Sequence, residues 1–166
     1  MELPKRKHTR LKNYDYSQPG YYYVTIHTQK DSGILSNVGQ GLAPAEAKVF
    51  LSAAGKIAQE QLFLLEKRYP YVRIDKYVIM PTHIHVILEF RERPSEINAH
   101  PTLMDVIGAY KSLTTRICNQ VLKTPGMKRF QNSFYETVLR NERAYRECWR
   151  YIDENPQKWA LDPEDR

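Results

Sequence analysis

Two histidines, His83 and His85, stand one residue apart in Val78-Ile79-Met80-Pro81-Thr82-His83-Ile84-His85-Val86-Ile87-Leu88, a run that otherwise reads as buried β-strand. Side chains alternate faces along a strand, so both imidazoles point one way while Ile84 and Val86 point the other. Two imidazoles on one face can fill two positions of a divalent metal. Further on, Tyr151 and Asn155 are spaced i, i+4 and share one face of a helix. Tyr151 supplies a candidate nucleophile and Asn155 a candidate third ligand. A phenol with a reference pKa of about 10 attacks weakly at neutral pH unless a cation or base favours phenolate. A metal held by two imidazoles and an amide oxygen keeps positions open for phosphate oxygens and can stabilise a departing 3′-oxygen. The set points to tyrosine attack on a phosphodiester, which conserves bond energy in a phosphotyrosine for later rejoining. Plainer readings stay open. The histidines also fit a solvent-facing strand side, Asn155-Pro156 fits a helix stop, and Tyr151 is one of twelve tyrosines.

These residues need elements to hold them. Tyr21-Tyr22-Tyr23-Val24-Thr25-Ile26-His27-Thr28 is β-branched and aromatic and predicts a first strand. Residues 29–43 read as loop with a short strand at Ile34-Leu35. Pro44 suits a helix first turn, and Ala47, Phe50, Leu51, Ala54, Ile57, Ala58, Gln61, Leu62 and Leu65 recur at helical steps through Arg68. Val72–Met80 predicts a second strand, Pro81-Thr82 a turn, and His83–Phe90 a third strand, together a β-hairpin. Thr102–Leu122 carries an apolar helical stripe, and Thr124-Pro125-Gly126 breaks it. Phe134–Leu139 predicts a fourth strand. A third helix is expected from Asn141 and Glu142 to about Asn155, because proline disfavours helical dihedrals in the residue before it. The order β-α-β-β-α-β predicts an α+β fold, a ferredoxin-like antiparallel sheet with an added C-terminal helix. The first and third strands should lie together at the centre. The first two helices should cover one face, leaving the other for a ligand or the last helix.

At 166 residues and 42% hydrophobic, the chain predicts one globular domain over 1–166, with a basic arm over 1–18. Lys plus Arg number 25 against 19 Asp plus Glu, a surplus that suits a polyanion. Candidate phosphate contacts are Lys5, Arg6, Lys7 and Arg10 in the arm, and Lys111, Arg116, Lys128 and Arg129 later; ordinary solvated surface fits them as well. Phe134 and Tyr135 are candidate stacking partners for bases. The two cysteines, Cys118 and Cys148, match no metal or redox spacing, which suits a reduced, cytoplasmic setting. No signal peptide is expected, and no membrane span, since the longest apolar run is broken by Pro81, Thr82, His83 and His85.

Four blocks of the chain together resemble a known family. Val78-Ile79-Met80-Pro81-Thr82-His83-Ile84-His85 is the first and Ala109-Tyr110-Lys111-Ser112 the second. Arg129-Phe130-Gln131, Phe134-Tyr135-Glu136 and Leu139-Arg140-Asn141-Glu142 make the third, and Tyr151-Ile152-Asp153-Glu154-Asn155-Pro156 with Trp159 the fourth. In this order, over about residues 20–160, they look like the signature blocks of the REP-associated tyrosine transposases. These are single-tyrosine, HUH-type transposases related to those of the smallest bacterial insertion sequences. The resemblance implies a catalytic domain that binds hairpin-containing, REP-like single-stranded DNA, as a monomer or homodimer. It further implies strand cleavage and transfer through a 5′-phosphotyrosine with a divalent ion, Mg or Mn. By position, His83 and His85 would be metal ligands, Tyr151 the nucleophile and Asn155 the ligand-side polar group. Thr82 stands where Asn is usual, and Phe130 where Trp is usual. No extra DNA-binding segment is expected after Trp159. The alternative is a catalytically silent nucleic-acid-binding domain of the same fold. A replication initiator or relaxase ranks last, since those carry the histidine pair with a different tyrosine context.

Overall fold

The computed structural model describes residues 10–40 and 46–162. In chain order the elements are β1 Gly20–His27, β2 Ser36–Gln40, β3 Ala47–Leu51, α1 Ala53–Arg68, β4 Val72–Ile79, β5 His83–Phe90, α2 Leu103–Val121, β6 Tyr135–Leu139 and α3 Glu142–Leu161. Four strands form an antiparallel sheet in the order β4-β5-β1-β6, so β1 and β5 are central. This is the ferredoxin-like α+β arrangement, with the β2–β3 hairpin inserted before α1.

Strand alternation divides the sheet cleanly. Tyr22, Val24 and Ile26 of β1 and Ile84, Val86 and Leu88 of β5 are fully buried against Ala58, Leu62 and Leu65 of α1 and Val106, Ile107 and Tyr110 of α2. The opposite parity places Tyr21, Tyr23, Thr25 and His27 beside His83, His85 and Ile87 on the second face. There α3 docks, burying Ile152 on Ile87 and Leu139 with Tyr145 and Cys148 alongside. At about 25 cal/mol per Å² of apolar area removed from water, both layers stabilise the sheet, and the first does so over the larger surface.

Two sequence expectations are corrected. Residues 47–51 are strand, not helix: β3 pairs with β2, Val38 opposite Val49 and Asn37 opposite Phe50. The short strand expected at Ile34-Leu35 accordingly begins at Ser36. The helix starts only at Ala53, where the Ser52 hydroxyl accepts from Gly55 N at 3.1 Å. A Cβ on Gly55 would fall 1.9 Å from the Leu35 carbonyl oxygen, so glycine allows the helix to start against the strand entry. The apolar positions at 47, 50 and 51 belong to a pairing partner rather than to a helix stripe. Pro44, read as a helix start, lies outside the described residues.

The second correction is at the other end of the chain. α3, capped by Asn141 Oδ1 accepting from Ala144 N at 2.8 Å, runs through Pro156 to Leu161. Proline removes the hydrogen bond to Ile152 O, at a cost of about 3 kcal/mol. Tertiary contact overrides that penalty. Beyond Pro156, Trp159 packs on His83, and α3 lies beside the β2–β3 hairpin. Asn155 is therefore inside the helix, still one turn from Tyr151.

Candidate active site

β5 begins at His83, directly after the Pro81-Thr82 turn. That turn is fastened to the end of β1, since Thr28 N and Thr28 Oγ1 both donate to Thr82 O, at 2.9 and 3.0 Å. Thr82 Oγ1 lies 3.2 Å from His83 Nδ1. His83 and His85 share the α3 face with ring centroids 4.6 Å apart. His85 is only 5% exposed, and its Nδ1 has two hydroxyl neighbours, Tyr23 Oη at 2.8 Å and Thr25 Oγ1 at 2.9 Å. The β1–β5 register sets this up by placing Thr25 opposite His85 and His27 opposite His83.

Burial, and secondarily the neighbouring His83 and His27, push His85 down to about 3, so its imidazole is neutral around pH 7. Burial lowers His27 and lifts the Tyr23 phenol to about 12. The Nε2 atom of His85 is buried without a hydrogen-bond partner. A buried orphan atom on a neutral imidazole, whose other nitrogen is held by hydroxyls, suits a metal ligand. Among the described residues no cluster of three or more His, Cys, Asp or Glu side chains could hold a metal. A cation here would therefore rest on the two imidazoles and the Asn155 amide oxygen, with further positions left to solvent or substrate oxygens.

α3 carries the remaining groups. Tyr151 is 45% exposed, its ring 5.4 Å from His85 and 6.5 Å from Tyr23. It borders an open cavity of about 560 Å³ lined also by Thr25, His27, His83, Tyr135, Glu147 and Cys148. Asn155, 8% exposed, lines an adjoining cavity with His83, Tyr151, Lys158 and Trp159. All four site residues read from the sequence meet here. Another tyrosine of the same helix, Tyr145, is turned away: its hydroxyl donates to Asp75 at 2.7 Å and its ring meets Tyr21.

The expected phosphate contacts are scattered. Lys5, Arg6 and Lys7 lie outside the described residues. Arg10 is half-exposed, 3.8 Å from Glu136 Oε2 and stacked over Phe134. Lys111 and Arg129 are corrected, because both are spent inside the fold. Lys111 Nζ donates to the Gln131 and Asn132 carbonyls. Arg129 is buried and donates to Asn119 Oδ1, Ser32 O and Thr124 Oγ1. Arg116 and Lys128 are exposed. Lys111 and Arg116 sit on α2, across the sheet from the histidines. Phe134, a candidate stacking residue, is buried in the main core, whereas Tyr135 is 43% exposed at the cavity mouth, edge-on to His27.

Sequence reading missed Tyr23, Thr25 and His27 as site residues. Their parity along β1 was visible, but only an antiparallel register with β5 makes it meaningful. It missed Lys158 because the helix was ended at Asn155.

No protein-family model matches the chain. An uncharacterized protein of Haemophilus influenzae is 25% identical over 172 aligned positions, covering 95% of this chain and 91% of that one. Among solved structures, a REP-associated tyrosine transposase bound to a REP hairpin superposes with a TM-score of 0.64 at 19% identity, over 90% of this chain and 73% of that one. A candidate transposase from Deinococcus radiodurans R1 superposes with a TM-score of 0.51 at 15% identity, over 87% and 95% of the two chains. The chain thus has the fold of the REP-associated tyrosine transposase.

Proposed function

We propose that this chain is a metal-dependent single-stranded DNA endonuclease and strand transferase acting on hairpin-bearing DNA. The observation that carries the reading is the convergence of Tyr151, Asn155, His83 and His85 on two adjoining cavities that share His83 and Tyr151, with His85 Nε2 buried and unpartnered. The REP hairpin held by the solved transposase supports hairpin DNA as the partner. No helix among the described residues is long and apolar enough to cross a membrane.

His83, His85 and Asn155 would hold a divalent ion, Mg or Mn, which supplies Lewis-acid polarisation of the scissile phosphate and charge stabilisation at the leaving 3′-oxygen. Tyr151 Oη forms a bond to phosphorus while the bond to the 3′-oxygen breaks. The phenolic proton leaves to solvent through the open cavity, and the 3′-oxygen takes one up. The product is a 5′-phosphotyrosine and a free 3′-hydroxyl. A second 3′-hydroxyl reverses the exchange and rejoins the strand. Ile152, buried beneath the helix, keeps Tyr151 over the histidines of its own chain.

The test uses end-labelled, hairpin-bearing oligonucleotides with Mg or Mn. Wild type should form a covalent adduct, mapped by mass spectrometry to the peptide containing Tyr151. Tyr151→Phe should bind the DNA equally and form none. An adduct at another residue, or no adduct with any strand, would sink the reading.

A further inference from the structure

Because α3 continues past Pro156, one face of it presents more than the two residues visible in the sequence. Counting from Tyr151 at about 3.6 residues per turn, positions i+4, i+7 and i+8 are Asn155, Lys158 and Trp159. These three, with His83 and Tyr151, line a cavity of about 190 Å³. His83 and Tyr151 also line the larger cavity, so they form the shared wall between the two. The site is therefore a trough with the reacting groups at its middle. Tyr135 stands at one end and Trp159 at the other.

We propose that the smaller cavity is a nucleotide subsite. In it the Trp159 indole stacks on the base next to the scissile phosphate, and the Lys158 ammonium meets that nucleotide's phosphate. The chemistry of the lining fits this ligand class. Trp159 is partly exposed, and its ring is tilted 52° to His83 at 5.9 Å, so the indole is not enclosed by protein. Lys158 Nζ sits 5.5 Å from the Tyr151 ring centroid, on the nucleophile's side of the helix. Its other partner, Glu154, makes an ion pair whose side chains are 55% and 42% exposed. A pair so open contributes little and exchanges readily for a phosphate. Every base has a π-face, so such a subsite would contribute affinity without selecting sequence.

This inference rests on the single-strand cleavage reading above, and the experiment separates the two. Trp149→Phe leaves Trp159 as the sole tryptophan of the chain. In that protein an oligo(dT) strand should quench the fluorescence, while an abasic strand of equal length should bind without quenching. Trp159→Leu should weaken oligo(dT) binding about tenfold and leave the abasic strand unaffected, and Trp159→Phe should restore most of the loss. Lys158→Gln should weaken both strands alike. Binding of oligo(dT) without quenching, or an equal loss for both strands in Trp159→Leu, overturns the subsite while leaving the Tyr151 adduct assay intact. No binding of any strand overturns the subsite as well, and the adduct assay then decides the cleavage reading separately.

Discussion

Removing both hydroxyls beside His85, in a Tyr23→Phe, Thr25→Val protein, tests the proposal that this imidazole is prepared as a metal ligand. To offer a bare Nε2 to a cation, neutral His85 must carry its proton on Nδ1. Tyr23 Oη and Thr25 Oγ1, at 2.8 and 2.9 Å, are the acceptors that make this tautomer acceptable in a buried site. Either alone suffices, so each single variant should weaken Mn binding by less than about threefold. Losing both leaves a buried N–H unsatisfied, which costs roughly 1–3 kcal/mol. At about 1.4 kcal/mol per tenfold change, Mn affinity should fall about 5- to 150-fold, matching the 10–100-fold effect of outer-shell partners elsewhere. The assay is Mn titration by calorimetry at neutral pH, with His85→Ala as the baseline and imidazole nitrogen NMR to read the tautomer. The strong non-additivity is the signature. Wild-type affinity in the double variant, or a full loss in either single one, would refute the argument.

Two further outcomes follow from packing and burial. Ile152, 1% exposed, is the central apolar contact of α3 on Ile87 and Leu139, so Ile152→Ala should lower unfolding stability by about 2–5 kcal/mol in urea melts; a change below about 1 kcal/mol would mean that α3 is held by its ends. Burial raises the Glu136 carboxyl above its ordinary value of 4.5, against the hydrogen bond from Tyr16 and the charge of Arg10. The acid form is favoured in the fold, so this contribution is complete below the unfolded value and is lost as pH rises through the raised one. Glu136→Gln, neutral throughout, should therefore gain stability relative to wild type between acidic and neutral pH; parallel stability curves would contradict it.

What the chain discloses in advance depends on how local the determining forces are. The sheet was legible because parity along β1 and β5 is a two-residue pattern that burial on one face enforces. The shared face of His83 and His85 was legible for the same reason, and that of Tyr151 and Asn155 through the i, i+4 spacing of a helix. The β2–β3 hairpin was misread because Ala47, Phe50 and Leu51 satisfy helical steps, while the strand opposite, Ser36–Gln40, advertises little beyond Val38. Lys111 and Arg129 were misplaced for a different reason. A cation on a helix or loop looks solvated until the carbonyls of 131 and 132, or of Ser32, close around it.

Pro156 shows the limit most directly. Local rules end a helix before proline, and they are sound where nothing else acts. Here Trp159 finds His83, and α3 finds the inserted hairpin, contacts made by segments more than 70 residues apart in the chain numbering. The helix survives its missing hydrogen bond, and Asn155 sits one turn from Tyr151 in regular helical geometry instead of on a frayed end. That regularity holds the amide, the phenol and the histidines in one trough. It also gives Trp159 and Lys158 a place in it.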